Sequence, residues 1–109
     1  MDVDERQAEL IKEFSALPSW EDRYKRLIEF GKKLPPLPKE YYAEKFKVRG
    51  CQSSVWLHAE PMPDGRVRFV ADSDALIVKG LVALLLRVYS EAKPDEILSA
   101  STQFLKDLG

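Results

Sequence analysis

The sequence predicts an α+β fold of two layers, in which a small three-stranded antiparallel sheet is covered on one face by helices. Three observations carry this reading. The apolar period changes from about 3.6 residues to about 2 beyond the proline run Leu34-Pro35-Pro36-Leu37-Pro38. An Asp64-Gly65 pair, suited to a turn that needs positive φ, separates two alternating runs. The most apolar stretch, Ala75 to Tyr89, follows the last of these runs and supplies the cover that a sheet with one apolar face requires.

The elements follow in order. From about Asp4 to Leu17, residues Leu10, Ile11, Phe14 and Leu17 share one side of a helix that ends near Pro18. Ser19 is the expected N-cap of a second helix, with Asp22 three residues on. Its apolar stripe is Trp20, Tyr24, Leu27 and Ile28, and Gly31 marks where it can stop. The proline run lacks backbone donors and has fixed φ, which makes it a stiff, extended connector.

Three strands are expected next. In the first, Phe46 and Val48 alternate with Lys45, Lys47 and Arg49; in the second, Val55, Leu57 and Ala59 alternate with Trp56, His58 and Glu60. The third sets Val67, Phe69 and Ala71 against Arg66, Arg68 and Val70. Asp72-Ser73-Asp74 then opens the Ala75 to Tyr89 helix, where its oxygens satisfy free amides and complement the dipole. Two short segments close the chain, one opened by Pro94 with Asp95 and Glu96, the other running from about Ser101 through Phe104, Leu105 and Leu108 to Gly109.

A length of 109 residues suits a single domain over 1–109. Charged residues make up 32% of the chain yet nearly cancel to a net of -1, so the surface is mixed and carries no nucleic-acid footprint. One cysteine forms no internal disulfide, and the acidic start Met1-Asp2-Val3-Asp4-Glu5 has no apolar stretch behind it. A reducing, cytoplasmic setting is expected. The Ala75 to Tyr89 stretch falls short of the roughly 20 residues a bilayer needs and carries Lys79 and Arg87, so it reads as a buried helix and no membrane association is expected.

That single cysteine, Cys51, lies in Gly50-Cys51-Gln52-Ser53-Ser54 between two expected strands. A core cysteine belongs in phase with Val55, Leu57 and Ala59, not at a chain reversal. The thiolate is the reactive form, and an ordinary cysteine pKa near ~8.5 leaves a small minority ionised at neutral pH, so the surroundings decide the reactivity. Gln52 and Ser53 have side chains able either to donate to a thiolate or to stabilise the turn. Trp56 either walls the thiol or packs on its strand. His58, the only histidine, falls on the face opposite Val55 and Leu57, so it is expected to be exposed and not a base for Cys51. One cysteine and one histidine do not complete a tetrahedral shell, and no metal is assigned.

Four blocks resemble the SufE-type sulfur acceptors that serve cysteine desulfurases in iron-sulfur cluster assembly. They are Trp20-Glu21-Asp22-Arg23-Tyr24, Gly31 through Leu34-Pro35, Gly50-Cys51-Gln52-Ser53 with Val55-Trp56, and Asp72-Ser73-Asp74-Ala75 with Ile77-Val78-Lys79-Gly80-Leu81. They fall in the family's order across nearly the whole chain. Ser54 departs from it, since glutamine is common there.

The resemblance implies a SufE/NifU-like fold and a carrier that takes persulfide sulfur onto Cys51, stimulates its desulfurase and passes sulfur to a scaffold. It implies a SufS-like desulfurase and a SufBCD-like scaffold complex as partners, with pyridoxal phosphate on the desulfurase and no cofactor bound to this chain. Gly50, Gln52, Ser53, Trp56 and Asp74 are the residues expected around the thiol. It also places the helix start near the cysteine loop, where Asp74 would restrain the loop and raise the thiol pKa until docking. Lys79 and Gly80 look like packing and solvent residues of their helix. The family normally continues beyond Leu108-Gly109 with a Leu-Ser-Pro-Ser-Arg-like motif and an amphipathic helix. On that comparison the chain is a fragment, or a homodimer or partner covers the surface left open. Assembly of a cluster on the protein's own thiols is disfavoured by the single cysteine. A regulatory or relay partner of a desulfurase serving RNA modification is the alternative.

Overall fold

The helices and strands follow from capping and burial that can be traced residue by residue in a computed structural model, which describes residues 2–50, 53–101 and 103–104. Helix α1 (Val3–Ser15) starts from a reciprocal cap: the Glu5 N–H donates to the Asp2 carboxylate while the Asp2 N–H donates to the Glu5 carboxylate. It buries Val3, Leu10 and Phe14 and stops at Ser15, short of the expected Leu17. Helix α2 (Trp20–Lys32) is capped as expected by Ser19, whose hydroxyl accepts from the Asp22 N–H at 3.2 Å.

The buried side of α2 differs from the expected stripe. Leu27 and Gly31 are buried, while Trp20 and Tyr24 are 58% and 51% exposed. The reason is how α2 meets α3 (Leu76–Tyr89): Gly80 of α3 sits against the backbone of Leu27, and Gly31 sits against Gly80. Gly31 is therefore a contact residue inside α2, not its terminator. Trp20 and Tyr24 lean on each other at 6.2 Å between ring centroids instead.

The sheet consists of β1 (Val55–Pro61) and β2 (Val67–Ser73), antiparallel, in a register running from Val55 opposite Ser73 to Pro61 opposite Val67. Among the described residues it has two strands, which corrects the expected three. The segment before Gly50 contributes a single bridge, Lys47 opposite Trp56, with the Val48 N–H donating to the Val55 carbonyl at 2.8 Å. Upstream of that bridge Glu44–Phe46 winds into a 3-10 turn, and the Phe46 ring meets Tyr41 and His58 edge-on. Phe46 and Val48 do alternate with lysines, but the ring contact of Phe46 closes the chain into a turn before a ladder can extend.

Two apolar clusters hold the layers together. Val3, Leu10, Phe14, Leu27, Leu84, Val88, Ala92 and Phe104 join α1, α2 and α3 to the C-terminal region, in which α4 (Pro94–Ser99) lies. Val55, Ala71 and Val82 pack the sheet on α3, with Leu34, Val78 and Leu86 beside them. The cover is partial. Leu57, expected inside with Val55, is 39% exposed, and Ala59 is also exposed. No helix among the described residues is long and apolar enough to cross a membrane.

Candidate functional site

Gly50, with φ of 85°, is the last described residue before Cys51. That backbone conformation suits glycine. Cys51 and Gln52 lie outside the described residues. The description resumes at Ser53, a half-buried bend residue, and at Ser54, which leads into β1.

Ser54 is held on both sides of its peptide. Its N–H donates to the Asp74 carboxylate at 3.0 Å, and its carbonyl accepts from the Ser73 hydroxyl at 2.9 Å and from the Asp74 N–H at 3.2 Å. This changes the expected role of the Asp72-Ser73-Asp74 run. β2 extends through Ser73, and the N-cap of α3 is Ala75, which makes no side-chain cap bond. The Ser73 and Asp74 side chains expected to cap the helix instead tie Ser54, three residues beyond Cys51, to the end of β2 and the turn that follows it.

Trp56 points to the sheet face opposite Val55. Tyr42 meets its ring edge-on at 4.9 Å, and the Lys47 ammonium lies 6.0 Å from its centroid. The contacts described for Trp56 are therefore packing contacts with the segment before Gly50. His58 shares that face. It is half-buried, stacked on Tyr41 at 4.1 Å with Phe46 edge-on at 5.1 Å, which corrects the expected exposure. The face is the expected one, but the 3-10 segment that covers it has no periodic signature.

Asp72 does not cap α3 as expected. Its carboxylate accepts from the Tyr42 hydroxyl and from the Ser73 N–H at 2.8 Å, and it pairs with Lys79 at 3.2 Å. Burial pushes its pKa up, but the Tyr42, Ser73 and Lys79 bonds outweigh this and hold it below the usual carboxylate range. The same bond raises the pKa of Tyr42. Tyr42 lies 30 residues from Asp72, so no local spacing could have revealed the pair. Lys79 is an ion-pair partner as well as a surface residue.

Val48 and Val55, one on each side of the Cys51 segment, line an apolar groove of about 460 Å³ that continues along Leu57, Leu81 and Leu85. Among the described residues, no three His, Cys, Asp or Glu side chains gather as a metal site would require.

Comparison with known proteins places this geometry. The chain is 39% identical over 99 residues to a chloroplastic quinolinate synthase of Arabidopsis thaliana, a match that takes in 91% of this chain and 14% of that protein. The chain thus spans a small part of that relative's length. A solution structure of a hypothetical protein from Thermus thermophilus superposes with a TM-score of 0.73 at 27% identity, covering 93% of this chain and 73% of that one. Residues 8–109 match the SufE family, described as an Fe-S metabolism associated domain. The chain belongs to the SufE family of Fe-S metabolism associated domains.

Proposed function

We propose that this protein is a sulfur acceptor and carrier whose reactive group is Cys51. The observation that supports the reading most is the family match over residues 8–109, taken with a lone cysteine set between Gly50 and the anchored Ser54. In the proposed step the Cys51 thiolate attacks the outer sulfur of a persulfide on a cysteine desulfurase. A sulfur-sulfur bond forms at Cys51, the bond to the desulfurase cysteine breaks, and that cysteine leaves as its thiolate. The exchange balances with no external oxidant or reductant. A second exchange of the same kind delivers the sulfur to an acceptor on a SufBCD-like scaffold. The carrier uses no cofactor of its own, and pyridoxal phosphate acts on the SufS-like partner.

The residues around Cys51 receive distinct proposed roles. Gly50 permits the turn, while Gln52 and Ser53 donate to the thiolate or steady the bend. Asp74 restrains the segment through Ser54, and its charge disfavours a second negative charge nearby, keeping the thiol quiet until docking. Trp56 stiffens the start of β1 through its contact with Tyr42. The open groove beside Val48 and Val55 is an apolar seat for a partner or a second copy of the chain. The test is sulfide release by a SufS-like desulfurase with and without the protein: stimulation by wild type that Cys51→Ser abolishes supports the reading, and equal stimulation by both refutes it.

A further inference from the structure

The segment that leads to Gly50 has few backbone ties to the rest of the fold. One bridge at Lys47 and the Val48 to Val55 hydrogen bond join it to β1 where a full strand pairing would supply several. Side chains therefore carry much of its placement. Tyr41, Phe46 and His58 form a ring cluster on the outer face of β1, which fixes distance from the sheet but little direction. Tyr42 adds a directional bond, because its hydroxyl donates to Asp72, a residue paired opposite Trp56 in the sheet. Asp72 is itself fixed by the Ser73 N–H and by Lys79 of α3, and its side chain is 17% exposed.

Two residues further along, Asp74 fixes Ser54. The end of β2 and the turn that follows it thus grip both approaches to Cys51: Asp72 holds the incoming one through Tyr42, and Asp74 holds the outgoing one through Ser54. We propose that Tyr42 and Asp72 are positioning residues for Cys51, which set where the incoming approach ends and hence how the thiol is presented. The functional consequence rests on the sulfur-carrier reading of Cys51; the positioning itself does not.

Tyr42→Phe keeps the ring on Trp56 and removes only the hydroxyl, so it separates positioning from packing. Loss of one hydrogen bond to a charged group raises the population of loosened arrangements by about tenfold or more. The rate of Cys51 alkylation by iodoacetamide should rise by about that factor in Tyr42→Phe and by at least as much in Asp72→Ala, which also frees the Ser73 N–H and Lys79, with far-ultraviolet circular dichroism confirming that both variants are folded at the assay temperature. Asp72→Asn keeps an acceptor for Tyr42 and should restore a near wild-type rate. Lys79→Met, which removes one of the ties on Asp72 but leaves the Tyr42 bond in place, should raise the rate by less than Tyr42→Phe does. The double variant Tyr42→Phe with Asp72→Ala should fall well short of the product of the single effects, because both remove the Tyr42 to Asp72 bond. An unchanged or lower rate in Tyr42→Phe, or additive effects in the double variant, overturns the inference. Sulfur uptake by wild type, measured alongside with a desulfurase, separates the two claims: no uptake refutes the carrier reading, while the alkylation ratios still judge the Tyr42 to Asp72 tie.

Discussion

Replacing Gly80 by alanine should destabilise the protein even though alanine is the better helix former. A Cβ built on Gly80 lies 2.4 Å from the Leu27 carbonyl oxygen, 2.7 Å from its Cγ and 2.9 Å from its carbonyl carbon. The Cγ belongs to a side chain that can turn away. The carbonyl belongs to the hydrogen-bonded backbone of α2 and yields only if the two helices separate, by on the order of 1 Å in a close-packed interior. Overpacking of this kind costs roughly 1–3 kcal/mol, and a backbone obstacle puts Gly80→Ala near the top of that range. Alanine returns about 1 kcal/mol of helix propensity. The net loss is about 2 kcal/mol, which lowers the melting temperature by about 8–16 °C in a domain of this size. Thermal and urea unfolding followed by far-ultraviolet circular dichroism measures it directly. Gly31→Ala is the internal comparison: its Cβ meets the Gly80 nitrogen at 3.0 Å, a milder contact, so its loss should be smaller. A melting temperature for Gly80→Ala equal to or above wild type would refute the reading of this crossing.

The ion-pair cluster on α1 should show in acid. Burial raises the Glu13 pKa, but bonds and charge from Arg26 and Arg87 outweigh it and hold the carboxyl below its usual range. A depressed carboxylate contributes stability above its unfolded pKa of about 4.3 and loses it as pH falls through the folded value. Urea midpoints of wild type and Glu13→Gln should therefore differ by a constant amount above about pH 5 and converge as the pH falls from there through the folded value; a difference that ignores pH contradicts this. The apolar groove makes a separate prediction, since Leu57, Leu81 and Leu85 are 39%, 44% and 36% exposed along it. Amide exchange in α3 should slow when the protein self-associates or meets its partner, and strong protection of α3 in a proven monomer would count against any docking role for that groove.

Much of the architecture is legible in the sequence because it rests on local rules. Ser19 caps α2, the Asp64-Gly65 pair sits in the β1 to β2 connection with Gly65 at φ of 90°, and Pro94 opens α4. The misreadings share a cause, which is that distant residues decide them. Phe46 reads as a strand residue until His58 and Tyr41 draw its ring into a turn. Trp20 and Tyr24 read as core until Gly80 selects Leu27 and Gly31 as the contact side of α2. Asp72 and Ser73 read as helix caps because polar side chains before a helix usually are, yet they bond Tyr42 and Ser54. At the candidate site, Gly50 and Asp74 could be singled out from the chain alone, whereas Tyr42 could not.

The central claim is that Cys51 carries sulfur, and intact mass tests it most directly. After incubation with a SufS-like desulfurase and cysteine, wild type should gain the mass of one sulfur atom, lost on reduction and absent from Cys51→Ser. A wild-type mass that stays unchanged while the desulfurase turns over, or an equal gain on Cys51→Ser, would contradict it.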